Sequence, residues 1–578
     1  MRFTWKIGGE AGFGILTSGL VFSKIANRLG YFTFDYIEYP SLIRGGHNAL
    51  EVVVSDEEVR SLKKDIDFLV CLNEDTYKHH KHKLAQKAHI LFDPDEFTIQ
   101  EENVLKISVP FKKILTDLKG IPVMKNTIAM GASLAILGSD LEVLNKILEE
   151  QFLRKGQEIV DFNKKLAYLG FDHVKQNFSQ HVKTHLNKKE SEPKLVISGN
   201  DAFCLGASIA ECRFYSAYPM TPSSTVLTTM AAWQFKSGMV VRHAEDEISV
   251  INTALGASFA GVRSAVGTSG GGFALMVESI SFAGIAEMPI VIFLAQRVGP
   301  ATGMPTWTEQ GDLLFAVNAG HGEFPKMVFA PGDVEEMLEL TAKAFNIADV
   351  YQTPVIIMSD MYLSESHKSM TKKFVDDFTA NYKVNRGKTI TAVVSDQSSV
   401  VSKYLRYKLT DDGISPRLIP GVKGHFYQAN SYEHVEDGHT SEDGVVRKQQ
   451  VEKRAKKWDT YLQSDFQPPV IFGNLESSQT VFVSWGSNKG PILEAQKLLK
   501  QSGKETAFMH FTHLYPMKRD VVAGLFKDTS KRYILIENNS QAQFGKLLLM
   551  ETGIEIKEKL LKYDGRPFLP EEIVEKLT

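Results

Sequence analysis

The chain has 578 residues, 43% of them hydrophobic and 23% charged, with a formal net charge of −3. That balance excludes a disordered or fibrous polypeptide and removes any general electrostatic pull toward nucleic acid or anionic membranes. The length leaves room for roughly three to four domains. Three cysteines, Cys71, Cys204 and Cys212, form no Cys-x-x-Cys pair. They argue against a disulfide framework and are too few to hold a cysteine-ligated iron–sulfur cluster by themselves, so burial as ordinary thiols is expected. No apolar run is long enough to span a bilayer. The start, Met1-Arg2-Phe3-Thr4-Trp5-Lys6, is too polar for a signal peptide, which makes a cytoplasmic location the expectation.

The chain opens as strand, glycine loop and helix: Phe3 to Ile7, then Gly8-Gly9-Glu10-Ala11-Gly12-Phe13-Gly14, then an amphipathic stretch from Ile15 to Leu29. Such a turn points backbone N–H groups at whatever occupies it, and the helix dipole favours an anion there. The spacing Gly-x-x-Gly-x-Gly departs from the dinucleotide fingerprint, so tight helix–sheet packing competes with anion binding by Gly9, Gly12 and Gly14. Further strands are expected at Phe32–Ile37, Leu50–Val54, Phe68–Leu72 and Ile90–Phe92. The loop Arg44-Gly45-Gly46-His47 interrupts them, with Arg44 and His47 either gripping a phosphate or partner carboxylate or forming a solvated turn.

Lys125 to about His181 has helical periodicity, and Lys188-Lys189-Glu190-Ser191-Glu192-Pro193 reads as an exposed linker. A second α/β unit is expected from Leu195, closing with the unbroken apolar strand Pro354–Asp360. Ser364 to Trp458 is rich in turns and reads as a connection with little core of its own. Its cluster Glu433-His434-Val435-Glu436-Asp437-Gly438-His439 looks metal-like, but it lacks the His-Glu-x-x-His helix pattern and reads better as a solvated or interface loop. A third α/β unit begins near Thr480. The expected fold class is therefore α/β with three parallel-sheet domains, spanning residues 1–190, 194–370 and 476–578, with 371–475 as the connecting region.

Functional groups concentrate between Tyr218 and Pro305. Three loop segments follow three apolar strands there, the way an open α/β sheet presents a site at its strand ends. Glu247 precedes Ile248, Ile251, Leu255 and Phe259 at helical spacing, so it belongs to a first helical turn, where the dipole favours its carboxylate. By pattern alone, Glu245-Asp246-Glu247 is also simply an acidic helix start. Gly267-Thr268-Ser269-Gly270-Gly271-Gly272 exposes backbone that suits a phosphate or a flat ring, and no lysine follows at the position a P-loop requires. Arg297 follows an apolar strand and suits a bidentate grip on a carboxylate, or an ordinary surface ion pair.

In order and spacing, Tyr218-Pro219-Met220-Thr221-Pro222-Ser223, Glu245-Asp246-Glu247, Gly267–Gly272 and Gln296-Arg297-Val298-Gly299-Pro300 resemble the α subunit of 2-oxoacid:ferredoxin oxidoreductases. Gly9-Glu10-Ala11-Gly12-Phe13-Gly14 with Arg44-Gly45-Gly46 resembles that family's γ domain, fused here ahead of the α part. It departs from the family pattern at Ala11 and Phe13. Trp485-Gly486-Ser487, Glu537-Asn538-Asn539 and Tyr563-Asp564-Gly565-Arg566-Pro567 resemble the end of the same subunit, a transketolase C-terminal-like domain. The resemblance covers nearly the whole chain, and the fused γ–α order points toward 2-oxoglutarate-type members.

The resemblance implies a shared thiamine diphosphate site in which this chain supplies the pyrimidine half. Glu247 would hydrogen-bond pyrimidine N1′, Thr221 would contact substrate through its hydroxyl, and Arg297 would hold the substrate carboxylate. Tyr218, Pro219, Ser223, Thr268, Ser269 and Gly270 would line the cofactor pocket. It implies oxidative decarboxylation of a 2-oxoacid with CoA, giving acyl-CoA, CO₂ and reduced ferredoxin. The chain has no Gly-Asp-Gly with a suitably spaced Asn, and it lacks cluster cysteines. The Mg²⁺–diphosphate end and the [4Fe–4S] cluster are therefore expected on a separate β subunit in an α₂β₂ assembly. Gly9, Gly12, Gly14 and Arg44 become candidates for CoA or another anion. Pyruvate, branched-chain or aryl 2-oxoacids, and a non-catalytic scaffold, are the competing expectations.

Overall fold

The computed structural model describes residues 1–41, 46–182, 184–390, 404–422 and 425–577. The chain divides into two compact units, residues 1–198 with 365–377 and 569–578, and residues 199–364 with 378–568. Among the described residues no helix is long and apolar enough to cross a membrane.

The first unit is built on an eight-stranded mixed sheet in the order Leu105–Ser108, Leu84–Phe92, Ile66–Cys71, Arg2–Glu10, His47–Ser55, Phe32–Glu38, His367–Thr371 and Lys194–Ser198. The first four strands are parallel. The rest are antiparallel, because Phe32–Glu38 and His47–Ser55 form a hairpin and the last two strands pair as another. Its apolar face packs under the helices Ile15–Arg28, Lys125–Ile136 and Gln157–Asn177. There Trp5 stacks on Phe22 at 4.2 Å and donates to Ser133 Oγ at 3.2 Å. Two of these helices cross in backbone contact: a Cβ on Gly131 would stand 1.9 Å from the Ala167 carbonyl oxygen, and one on Gly170 would stand 2.1 Å from that of Ile128.

Lys194–Ser198, expected to open the second unit, is instead the edge strand of this first sheet. It pairs antiparallel with His367–Thr371, and Ser198 faces His367 in the register. Side-chain bonds fix the neighbouring strand in place: Ser369 Oγ accepts from Asn27 Nδ2 and from the Thr33 N–H, and Asp35 accepts from the His367 N–H. A five-residue apolar strand reads the same whichever sheet it joins.

Among the described residues the second unit contains two main sheets and a small parallel pair, Thr389–Ile390 with Arg417–Leu418. The larger runs His513–Tyr515, Met327–Phe329, Pro354–Asp360, Ile290–Gln296, Ser264–Thr268, Phe214–Ala217 and Val240–His243, and only the first strand is antiparallel to its neighbour. Ile290–Gln296 and Pro354–Asp360 are buried at every residue, which is why they read as unbroken apolar runs. The smaller sheet runs Val470–Phe472, Thr506–Phe511, Thr480–Trp485, Arg532–Glu537 and Glu558–Leu561. One apolar cluster joins Val266, Ile292 and Met358 to Val483, Met509 and Leu535. The two α/β domains expected separately thus share a core, and the C-terminal segment lends the strand His513–Tyr515 to the larger sheet.

The connecting region has little core, as its sequence suggests, and is held by charge. Its long helix Gly444–Ser464 presents Lys453 and Lys457 to the buried Glu287 carboxylate, with Lys457 at 2.7 Å. The loop Glu433–His439 is packed rather than solvated. His434 is buried with its ring 3.9 Å from that of Tyr407, and Glu433 takes Arg447 and Arg454. Among the described residues no group of three His, Cys, Asp or Glu is arranged to hold a metal. All three cysteines are buried free thiols, and burial pushes Cys212 up to about 12.

Candidate active site

Three parallel strands of the larger sheet, Phe214–Ala217, Ser264–Thr268 and Ile290–Gln296, end side by side. The loops that follow them, the end of the second strand itself and the helix start after the neighbouring strand Val240–His243 carry the residues expected of the central site. After the first comes the turn Tyr218–Ser223, with a cis Thr221–Pro222 bond. Ser223 closes it by donating through both its N–H and its hydroxyl to the Met220 carbonyl, at 2.9 and 2.8 Å. Buried Asn200 anchors it from below, donating to the Pro222 carbonyl at 2.7 Å. Tyr218 and Pro219 form the exposed flank of the turn. Ser223, expected among the cofactor contacts, has its hydroxyl engaged in the turn itself.

Glu247 is the first residue of the helix Glu247–Phe259 and is 3% exposed. Asp246 caps that helix, its side chain accepting from the Ser249 N–H at 2.7 Å. The Glu247 carboxylate reaches the end of the second strand, where Thr268 Oγ1 donates to it at 3.5 Å, the long limit of a hydrogen bond. Thr268 Oγ1 also lies 3.9 Å from Met220 Sδ, so the first and second loops meet at this hydroxyl.

The glycine run begins the helix Gly270–Ile285 one turn earlier than periodicity indicates, and each glycine has its own reason. A Cβ on Gly272 would stand 2.2 Å from both Glu247 Oε1 and Thr268 Oγ1. A Cβ on Gly270 would stand 2.5 Å from Asp312 Oδ2, and one on Gly267 would stand 2.1 Å from the Tyr215 hydroxyl. Gly271 alone faces open volume, with nothing within 4 Å of an added Cβ. Ser269 caps the helix without a side-chain bond, and its fully buried hydroxyl has no partner.

Arg297 follows the third strand, half-buried. Its Nη1 donates to the Thr221 carbonyl at 2.8 Å, which brings two expected site residues together and leaves the Thr221 hydroxyl out of the contact. Burial lowers the Arg297 pKa, and the charge of Asp312 opposes that shift. Asp312 itself is pushed up to about 6 by burial, with Arg297 pulling the other way. Gln296 fixes Asp312 by accepting its N–H at 3.0 Å while donating to the Ser359 carbonyl at 3.0 Å.

Asp312 and Asn200 have no role in the sequence pattern, and Gln296 and Met220 enter it only as members of their motifs. The polar run Thr308-Glu309-Gln310-Gly311-Asp312, set between apolar stretches, was the available signal for the first of them.

The C-terminal motifs support this loop. Gln310 donates its N–H to the Asn538 carbonyl at 2.8 Å and accepts at Oε1 from Asn488 and from the Asn538 N–H. Asn539 donates to the Gln310 carbonyl at 3.1 Å, and the Thr308 N–H donates to the Gly565 carbonyl at 3.2 Å. The Arg566 guanidinium lies 3.1 Å from the centre of the Trp307 ring. Glu537 is buried and accepts from the N–H groups of Phe544 and Gly545, from Asn539 and from Trp485. Those motifs hold the segment that carries Asp312.

In the first unit, Gly9 lies within the strand Arg2–Glu10, packed against Ile15 and Leu72. Gly12 and Gly14 have φ of 96° and 67°, which favours glycine. A Cβ on Gly14 would stand 2.7 Å from Asn126 Nδ2, and Asn126 donates to the Phe13 carbonyl at 3.1 Å. Asn126 also lines a cleft of about 50 Å³, together with polar Thr17, Ser18, Thr127 and Gln151 and apolar Val21, Met130, Leu144, Leu148 and Phe152. Arg44 lies outside the described residues.

A family model described as pyruvate flavodoxin/ferredoxin oxidoreductase, thiamine diP-bdg, matches residues 206–453, and one described as pyruvate ferredoxin/flavodoxin oxidoreductase matches residues 4–173. The chain is 32% identical to the 2-oxoacid:ferredoxin oxidoreductase subunit alpha of Sulfolobus sp, over 100% of this chain and 96% of that one. It is 32% identical to the 2-oxoglutarate synthase subunit KorA of Archaeoglobus fulgidus, over 66% of this chain and 97% of that one. Among solved structures it resembles the 2-oxoglutarate:ferredoxin oxidoreductase from Magnetococcus marinus with 2-oxoglutarate, coenzyme A and succinyl-CoA bound. That match has a TM-score of 0.90 at 29% identity, covering 100% of this chain and 99% of that one.

Proposed function

The chain belongs to the family of 2-oxoacid:ferredoxin oxidoreductase α subunits, and from that premise we propose that its central site holds the aminopyrimidine half of thiamine diphosphate for oxidative decarboxylation of 2-oxoglutarate. The observation that carries this reading is the Glu247 carboxylate, buried at a helix start and lodged in the notch that Gly272 leaves open. The surroundings suit a flat, hydrogen-bonding ring. Gly271 faces free volume, and the buried Ser269 hydroxyl lacks a partner.

When bound, thiamine diphosphate supplies the nucleophilic carbon and the electron sink for loss of CO₂. The chain's own residues do the rest. Glu247 shares a proton with pyrimidine N1′, and the adjoining helix N-terminus favours its charged form when it gives that proton up. Arg297 holds the substrate's 2-oxo carboxylate, its fork set by the bond to the Thr221 carbonyl. The Thr221 hydroxyl, outside that bond, is free to orient the substrate. Thr268, Ser269 and Gly270 form the wall behind the ring, and Tyr218 and Pro219 its outer rim.

The family's β subunit would add Mg²⁺ for the diphosphate and a [4Fe–4S] cluster that passes electrons to ferredoxin, in a cytoplasmic α₂β₂ assembly. The choice of 2-oxoglutarate is supported by the 2-oxoglutarate synthase relatives and by the ligands bound in the Magnetococcus marinus enzyme. CoA is proposed as acyl acceptor, with the Gly9–Gly14 loop in the γ-like part as one contact. Glu247→Gln, assayed anaerobically in the complex reconstituted with its β subunit, is expected to lower 2-oxoglutarate decarboxylation by at least a hundredfold while assembly is unchanged. Turnover within a few-fold of wild type would remove Glu247 from the proposed role.

A further inference from the structure

Arg297 can hold one carboxylate, and 2-oxoglutarate carries two. The loop that follows Arg297 sets a second cation near the first. The Val298 N–H donates to the Trp307 carbonyl at 3.2 Å, and the Met304 N–H donates back to the Val298 carbonyl at 3.1 Å. The loop therefore doubles back, and Trp307 stands against the residue next to Arg297. The C-terminal motif lies along this fold. Gly565, at φ 81°, fits closely against it: an added Cβ would stand 3.2 Å from Met304 Cε and from Trp307 Cβ, and 3.3 Å from Val298 Cγ2. Val298 and Gly565 are thus packed together, and their chain neighbours are Arg297 and Arg566.

Arg566 is fixed at its backbone and open at its side chain. Its N–H donates to Asp564 Oδ1 at 2.9 Å, and its carbonyl accepts from Asn538 Nδ2 at 3.3 Å. The half-buried guanidinium lies over the Trp307 ring, 3.1 Å from its centre. Stacking occupies a face of the guanidinium and leaves its in-plane donors unused. Among the described residues Arg566 makes no ion pair, and its buried Nη1 has no hydrogen-bond partner. The buried Arg263, Arg417 and Arg454, by contrast, each rest on a carboxylate. A partly desolvated guanidinium without an anion is costly, and a planar donor fork meets a carboxylate through two parallel bonds.

We propose that Arg566 holds the distal carboxylate of the 2-oxoacid, so that the C-terminal segment of this chain selects a dicarboxylate over a monocarboxylate of the same length. This rests on 2-oxoglutarate as the substrate and on the assignment of Arg297 to its 2-oxo carboxylate. The two arginines, rooted on either side of the Val298–Gly565 contact, fix both ends of the substrate. Trp307 keeps the second guanidinium flat while its donors serve the ligand. No covalent bond changes in this step, and the unpaired cation gains its anion when the substrate arrives.

The test compares kcat/KM for 2-oxoglutarate and for 2-oxopentanoate, which has a methyl group in place of the distal carboxylate, in the complex reconstituted with its β subunit. Wild type is expected to favour 2-oxoglutarate. Arg566→Met keeps an unbranched stem over Trp307 without the charge. It should lose about ten- to a hundredfold in kcat/KM for 2-oxoglutarate, mainly through KM, as expected for a lost charged hydrogen bond. Its kcat/KM for 2-oxopentanoate should change by about threefold or less, a split that a merely structural role would not produce. Arg566→Lys, with the charge but not the fork, should fall between the two. Inhibition by the unreactive dicarboxylate N-oxalylglycine should weaken in Arg566→Met while inhibition by oxamate holds, so the comparison does not depend on turnover of 2-oxopentanoate. Equal use of both substrates by wild type overturns the proposal without any variant. So does a dicarboxylate preference kept in Arg566→Met, or a loss shared equally by both substrates with a lowered melting temperature. The substrate reading fails separately: a complex that turns over pyruvate and not 2-oxoglutarate removes it, and this proposal with it.

Discussion

At position 272 a single missing methyl group decides whether Glu247 can occupy the site. An added Cβ would overlap Glu247 Oε1 and Thr268 Oγ1 at 2.2 Å; the short, β-branched Thr268 has little room to yield, so the glutamate, the longer side chain, is the one that moves. Gly272→Ala is expected to remove most turnover because the carboxylate must leave its notch. Its melting temperature should change little, since a better helix former offsets roughly 1 kcal/mol of the crowding. Gly271→Ala makes the opposite pair. It should stabilise the isolated chain by about 0.4–1 kcal/mol while weakening thiamine diphosphate binding in the complex, if the open volume beside it belongs to the cofactor. Cofactor titration of both variants checks this. The glycine run was visible in the sequence, but its division of labour was not. Which glycine faces Tyr215, Asp312, Glu247 or free space depends on where strand gives way to helix, and the apolar pattern places that boundary near Phe273.

The helix Glu247–Phe259 shows how an element serves the site. Asp246 fixes its first turn through the Ser249 N–H, and the same turn aims Glu247 inward. Asp246→Ala is expected to cost about 1 kcal/mol of stability and to lower kcat more than KM, because it loosens Glu247 and leaves Arg297 untouched. Thermal denaturation and steady-state kinetics separate the two effects. The four central motifs were legible because each combines a special backbone need with a polar side chain. The C-terminal motifs were legible as motifs but not as supports. Gln310 is bonded to Asn538, Asn539 and Asn488 across more than a hundred and seventy residues of chain, and no local pattern encodes such a partner. The strand Lys194–Ser198 was legible as a strand and misplaced between units for the same reason.

On the scale of the molecule, the strand His513–Tyr515 ties the C-terminal segment to the larger sheet, and it does so with a buried histidine. His513 packs on Phe329 at 4.6 Å, and burial drives its pKa down to about 3. The folded state therefore refuses a proton that the unfolded chain takes below about pH 6.5. The sign is that stability falls as pH drops from about 6.5 toward 3, by about 1.4 kcal/mol per unit for this group. His513→Gln should flatten that part of the acid-unfolding curve, measured by denaturant titration at successive pH values. A slope unchanged in the variant would assign the acid sensitivity elsewhere. The shared core of the second unit explains why the sequence suggests three domains where the structure has two units: strand and helix rhythm counts sheets, and a strand lent from one sheet to another leaves no mark in that rhythm.

The pairing of Ser198 with His367 has a topological reading. Residues 199–366 are, in chain terms, the loop of one antiparallel hairpin, enlarged until it holds six of the seven strands of the larger sheet. Its two ends are pinned one strand spacing apart, about 4.8 Å, and Gly199 and Leu363 already touch within the second unit, where a Cβ on Gly199 would stand 2.3 Å from the Leu363 carbonyl oxygen. Closing an ordinary loop of that length would cost only about 3 kcal/mol more than closing a short turn, since the penalty grows with the logarithm of length. Here the inserted sheet brings its own ends together as it folds, so the hairpin closes as though its turn were short.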